Sequence, residues 1–312
     1  MRNEKIISVV IPVYKSGKHL DELHSRLKET LDLMEISYEL IFVEDRGGDN
    51  SWDVLQKISS KDSNTVIIQH TRNFGQHAAI LCGIHNSSGR WVITMDDDLE
   101  HRPEDIPKIY EEINKGYDLV YGVFEDRTHS AWRNITSNLA RNTFSFAIPN
   151  FNYDNTSFRI MSNHIAQGLL RFDSPFPVID GYLSWITNNY STVKLEHGVR
   201  GSGQSNYTLG KLIKFTLNIL IEFSALPLKV STWLGLSTSL LGFIWMIFVI
   251  VGRVTGGISQ LGYSSLMAAI LFFGGIQLLV LGIMGEYISK INFKTSKKPL
   301  YVISELRKNG DD

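Results

Sequence analysis

The chain has 312 residues, 43% hydrophobic and 20% charged, and a mean hydropathy of -0.04, which is too polar for a polytopic transporter and fits a water-soluble domain joined to a short membrane segment. Its 31 basic and 32 acidic residues give a formal net charge of -1; this argues against a nucleic-acid partner, since phosphate-backbone binders carry a basic excess. The single cysteine, Cys82, cannot form an internal disulfide and suits a reducing cytoplasm.

The first residues, Met-Arg-Asn-Glu-Lys, lead into a short strand-like run, too brief to read as a signal peptide, so membrane delivery is expected to reside in the later apolar segments. Strands are predicted at Ile6–Tyr14, Tyr38–Asp45, Thr65–His70, Trp91–Met95 and Asp118–Phe124. Helices are predicted near His19–Met34, Ser51–Ser60, Gln76–Asn86 and Pro103–Asn114. Continuous apolar runs such as IISVVIPVY suit a sheet covered on both faces, so the fold class is α/β around a mostly parallel sheet. Asn155–Ser162 and Val193–Gly203 read as segments that follow the sheet and complete the edge of a site.

In such sheets ligands bind beyond the carboxyl ends of strands. Those positions hold Pro12, Tyr14, Glu44, Asp45, Asp49, Arg72, Asn73, Asp96, Asp97 and Asp98. The sharpest signal is Asp96-Asp97-Asp98-Leu99-Glu100. Adjacent carboxylates repel one another, and Mg²⁺ or Mn²⁺ favours oxygen ligands completed by substrate phosphates. A solvated acidic turn capping the next helix is the ordinary alternative. In the run from Val43 to Ser51, glycines permit a close approach to a ligand, although Asp49, Asn50 or Ser51 can equally cap a helix. The sequence has no HExxH and no GxGxxG, GxxxxGK[ST] or GxSxG, which removes the main support for zinc proteases, dinucleotide oxidoreductases, P-loop NTPases and α/β-hydrolases.

Tyr207–Lys229 is apolar with spaced lysines and reads as juxtamembrane amphipathic helices over 207–229. Two apolar runs follow, Val230–Gly252 and Gly262–Gly285. The first is roughly 34 Å long as a helix, against a hydrocarbon core of about 30 Å. Lys211, Lys214 and Lys229 before the hairpin, and Lys290, Lys294, Lys297 and Lys298 after it, outnumber Arg253 between the runs. The positive-inside rule therefore puts both ends and the N-terminal domain in the cytoplasm. The expected organisation is a catalytic domain over 1–206, the juxtamembrane segment, two membrane helices within 230–288, and a cytoplasmic tail over 289–312. Small residues on the second run, including Gly274, Gly275 and Gly282, allow close helix contact, and a homo-oligomer is expected.

Taken in order, SVVIPVY, ELIFVED, TRNFGQHAA, DDDLE, SFRIMS, RGSGQSNY, FSALPLK and the apolar series before KKPLYVI resemble one family over nearly the whole chain. It is similar to the family 2 glycosyltransferases of GT-A fold, in the polyprenyl-phosphate branch that includes dolichyl-phosphate mannose synthases and bacterial undecaprenyl-phosphate sugar transferases. The resemblance implies a nucleotide-sugar donor, a polyprenyl phosphate acceptor and the bacterial inner membrane as location. It assigns Pro12, Tyr14, Val43 and Asp45 to the base and ribose. Asp96 and Asp98 go to a divalent metal and the diphosphate, with the backbone of Asp97 and with Glu100 beside them. Arg127, Arg133 and Arg200 go to the acceptor phosphate. Lys15, Ser16, Phe124, Ser157 and Asn206 depart from residues common in the family. A non-catalytic scaffold or flippase partner would have lost the metal carboxylates, and a processive polysaccharide synthase would show a QxxRW-type motif and more spans.

Overall fold

The computed structural model describes residues 5–124, 156–172, 174, 177–195, 221, 223–255 and 262–308. It divides into two units, Met1–Thr208 with Lys298–Asp312, and Leu209–Lys297.

The first unit is built on an eight-stranded sheet. In chain order its strands are β1 (Ile7–Val13), β2 (Tyr38–Glu44), β3 (Thr65–His70), β4 (Trp91–Thr94), β5 (Leu119–Phe124), β6 (Arg159–Ser162), β7 (Tyr190–Leu195) and β8 (Ile303–Arg307). Their spatial order is β7-β5-β6-β4-β1-β2-β3-β8. The central β4-β1-β2-β3 ladder is parallel, and every residue of β1, β2 and β3 is buried.

The period of two along β1 shows why. Ile7, Val9, Ile11 and Val13 pack into one core with Leu20, Leu23, Leu27 and Leu31 of α1 (Leu20–Leu33), Leu55 and Ile58 of α2 (Ser51–Lys61), and Ile106, Ile109 and Ile113 of α4 (Ile106–Ile113). Val10 points to the other face, toward α3 (Gln76–His85), where a Cβ on Gly83 would lie 2.3 Å from its Cγ1. Helices therefore cover both faces, and strand polarity aims the carboxyl ends of β1, β2, β3 and β4 at one rim.

Two expectations change. The SFRIMS segment and residues 193–195 do not follow the sheet: β6 lies inside it, antiparallel to both β4 and β5, and residues 193–195 end β7, which pairs parallel with β5. The stretch 289–312 is not merely a tail, because β8 closes the sheet antiparallel to β3. Two further helices, α5 (Asn163–Leu169) and α6 (Ile179–Ile186), lie between β6 and β7.

Gly89, just before β4, abuts the backbone of β1. A Cβ there would sit 2.6 Å from the Ser8 nitrogen and 2.8 Å from the Ile7 carbonyl carbon, while its N–H donates to Ser8 Oγ at 2.8 Å. Gly89→Ala should destabilise the domain by about 2 kcal/mol, because backbone cannot give way as a side-chain tip can. Thermal unfolding of the purified protein measures this, and an unchanged midpoint would refute the steric argument.

The second unit holds two long helices, α7 (Leu226–Val254) and α8 (Tyr263–Thr295). Both are long and apolar enough to cross a membrane. Their large apolar side chains face outward, with Trp233 68% and Leu278 72% exposed, the reverse of a soluble core helix. The helices overrun the predicted spans: α7 starts at Leu226 and α8 continues through Glu286, Lys290 and Lys294 to Thr295. Apolar composition marks what lipid can contact, and backbone hydrogen bonding continues after charge resumes. Of the predicted juxtamembrane segment, 207–220 and 222 lie outside the described residues.

Candidate active site

A cleft of about 290 Å³ opens at the carboxyl rim, lined by Pro12 and Val13 at the end of β1 and Tyr14 just after it, Asp45 after β2, Asn73 and Gly75 after β3, Gln76 and Ala79 of α3, and Asp96, Asp97 and Asp98 after β4. Pro12, Tyr14, Asp45 and all three aspartates thus share one wall system. Val43 does not line it: its side chain is fully buried and pairs in register with Pro12. Glu100 stands behind the acidic turn, donating its N–H to Asp98 Oδ1 at 3.1 Å across Leu99, whose φ of 63° makes the reversal. Arg127, Arg133, Arg200 and Asn206 lie outside the described residues.

The three aspartates have different surroundings. Asp96 Oδ1 accepts from Gln76 Nε2 at 2.6 Å and Oδ2 from Ser157 Oγ at 2.5 Å, so α3 and the chain entering β6 grip its carboxylate from two sides. Asp97 Oδ2 accepts from the Tyr14 N–H at 3.1 Å. Burial pushes its carboxyl up to about 6, against hydrogen bonds from Ser16 and Tyr14, and the charges of Asp96 and Asp98 push the same way. Asp98 is exposed at the mouth. The start of α3, entered through Gly75 at φ 94°, turns the positive end of a helix dipole toward this acidic wall, a favourable place for a ligand's phosphates.

Asp45 is 3% exposed. Its Oδ1 accepts from His70 Nδ1 and the Phe74 N–H, both at 2.8 Å, and its Oδ2 from the Gly75 N–H at 2.7 Å. A carboxylate offers about four lone-pair positions, so one is left open, on a residue that lines the cleft. Asp49 serves the turn, accepting from the N–H groups of Gly17 and Ser51 at 3.2 Å each.

Sequence reasoning missed Gln76 and His101 as individual residues, although Gln76 stands within the TRNFGQHAA motif, and it marked Ser157 only as a departure from the family, not as a partner of Asp96. His101 is buried between Phe124 and Phe158, with ring centroids 5.5 and 5.4 Å away. Its Nδ1 accepts from the Asp96 N–H at 2.9 Å, which fixes a neutral ring with the proton on Nε2. Burial lowers its pKa in spite of the surrounding carboxylates. A stacked neutral imidazole thus orients the first residue of the acidic turn.

Arg26 secures the far side of that turn: its Nε and one terminal nitrogen donate to the two Glu104 oxygens, both at 2.8 Å. This hydrogen bonding holds the Glu104 carboxyl below its ordinary 4.5, against a smaller effect of burial. A depressed carboxyl stabilises the fold above the unfolded-state value and loses that contribution as pH falls through the lower folded value. Glu104→Gln should therefore lower the melting temperature slightly above about pH 5.5 and not at all below about pH 3; the partly exposed pair is worth under about 1 kcal/mol. A mutant-minus-wild-type difference that is flat with pH would remove the ion pair as its cause.

The sequence matches glycosyl transferase family 2 over residues 8–173. The chain belongs to glycosyl transferase family 2. Residues 226–291 match the GtrB C-terminal hairpin, a range that takes in α7 and all but the last turn of α8. An uncharacterized glycosyltransferase of Synechocystis sp. is 33% identical over 96% of this chain and 95% of its own length. The undecaprenyl-phosphate 4-deoxy-4-formamido-L-arabinose transferase of Pseudomonas paraeruginosa is 29% identical over 96% of this chain and 90% of its own. Among solved structures, glucosyl-3-phosphoglycerate synthase from Mycobacterium tuberculosis, in complex with Mn²⁺, UDP-glucose and phosphoglyceric acid, shares the fold. Its TM-score is 0.52 at 17% identity, covering 70% of this chain and 79% of that one. The sheet-and-helix architecture is accordingly of the GT-A kind, and transferase chemistry is common to the family.

Proposed function

We propose that this glycosyltransferase moves a sugar from a nucleotide-sugar donor to a polyprenyl phosphate, with inversion, at the cytoplasmic face of a bacterial inner membrane. The observation that carries the reading is a carboxylate-lined cleft at the strand ends, in a chain that also matches the GtrB C-terminal hairpin and aligns over 96% of its length with an undecaprenyl-phosphate sugar transferase.

The base and ribose would lie along Pro12 and Tyr14, with Asp45 offering its remaining lone pair and Val43 backing the wall. Among the described residues no three His, Cys, Asp or Glu side chains form a ready-made metal cage. Mg²⁺ or Mn²⁺ can be held by one or two carboxylates together with the substrate's own phosphates. Asp96 and Asp98 fit as the protein ligands, with Glu100 supporting Asp98. Bound there, the ion would supply Lewis-acid neutralisation of the departing nucleoside diphosphate.

Little else is required of the protein. A lipid phosphate is already an anionic nucleophile, so no general base is needed, and Ser157 can be spent on orienting Asp96. Arg127, Arg133 and Arg200 would hold the acceptor phosphate through bidentate hydrogen bonds. The test is to incubate membranes containing the protein with radiolabelled nucleotide sugars and undecaprenyl phosphate, then extract lipid. Label in the lipid fraction that depends on both substrates is expected. No transfer from any donor would return the chain to the scaffold reading.

A further inference from the structure

The segment leading into the C-terminal strand reaches the donor cleft through a stacked ring. β8 pairs with β3 across a register shift at Gln69/His70, the kind of irregularity that re-aims a side chain beside a site. The Thr71 N–H donates to the Val302 carbonyl at 2.9 Å, and Arg46 Nε donates to the His70 carbonyl at 2.9 Å. His70 is fully buried. Its Nδ1 donates to Asp45, and its Nε2, also buried, has no hydrogen-bond partner among the described residues. Among the described residues, ring orientation therefore rests on one hydrogen bond and two ring contacts: the edge of Phe74 at 5.5 Å, and the face of Tyr301 at 5.5 Å with 13° between planes.

We propose that Tyr301 is a positioning residue for the nucleotide donor: by stacking on His70 it fixes the Asp45 carboxylate and, through it, the Phe74–Gly75 turn of the cleft. Asp45 takes its two other hydrogen bonds from that turn, and Gln76, the next residue, donates to Asp96. Residues that follow the membrane hairpin in sequence are thus part of the donor site. The inference rests on the donor-binding reading above.

The experiment is calorimetric titration of the purified full-length chain with UDP, GDP and dTDP in Mn²⁺, the tightest being carried into the variants. Tyr301→Ala should weaken binding about tenfold, a coupling typical of contacting residues in one network. Tyr301→Phe, which keeps the ring, should bind as wild type. In a His70→Asn background, which keeps a donor for Asp45 but has no ring to stack, Tyr301→Ala should cost nothing further. In the transfer assay the Tyr301→Ala defect should fall on the donor KM and leave kcat and the lipid KM unchanged. If Tyr301→Ala does not fold, Tyr301→Leu takes its place. Unchanged affinity, or an equal loss in both backgrounds, overturns the inference alone. A wild-type chain that binds none of the three nucleotides overturns the donor-site reading and the inference with it.

Discussion

Asp98→Asn is expected to cut sugar transfer by about 10²-fold or more while leaving the melting temperature within about 2 °C of wild type. The side chain is exposed, and its described hydrogen bond, to Asp98 Oδ1 from the Glu100 N–H, can be accepted equally well by an amide oxygen. What disappears is one unit of negative charge at the cleft mouth. On the proposed mechanism that charge helps hold the ion that neutralises the leaving diphosphate, so the loss should fall on kcat and on the concentration of Mn²⁺ needed for half-maximal rate. Asp96→Asn is a poorer test, because it also alters the grip of Gln76 and Ser157. Initial rates of label transfer into lipid, with and without chelator, decide the matter: full activity in Asp98→Asn, or in EDTA-treated enzyme, would sink the metal assignment.

What the sequence made legible follows from how local each signal is. β1 and β2 were readable to within a residue because an uninterrupted apolar run is what burial on both faces demands, and the acidic turn stood out where such a run stopped at Asp96. β6 and β8 were not readable as members of the sheet. Their sequences, RIMS and ISELR, lack the continuous apolar run that marked β1 and β2, and their partners lie far away in the chain. The same limit applies within the cleft. Asp96 could be singled out by its position, whereas the roles of His101 and Gln76 arise from side chains meeting across separate loops. Asp45 shows both sides: its place after β2 marked it, but only the folded chain reveals that three of its lone pairs already hold His70 and the Phe74–Gly75 turn.

The largest stability effect should come from Asp180, at the start of α6. Arg159 of β6 is 1% exposed and pairs with Asp180, whose side chain is 25% exposed; Arg159 Nε also donates to Thr94 Oγ1 at 3.1 Å. Removing one partner of a buried pair strands the other charge, at a cost of about 3 kcal/mol or more, whereas removing both charges is often nearly neutral. Here the partners are unequal. Asp180→Ala leaves a guanidinium sealed away from water, so it should lower the melting temperature by about 6 °C or more. Arg159→Met leaves a carboxylate that solvent can reach and fills the space with an apolar side chain, so it should cost clearly less. The lesion should also reach the site, because Thr94 Oγ1 donates to the Ser157 carbonyl at 2.7 Å and Ser157 Oγ donates to Asp96. Thermal unfolding of both variants in the same detergent gives the ranking. Equal destabilisation, or a larger loss in Arg159→Met, would mean that Asp180 is not what keeps the buried charge in place.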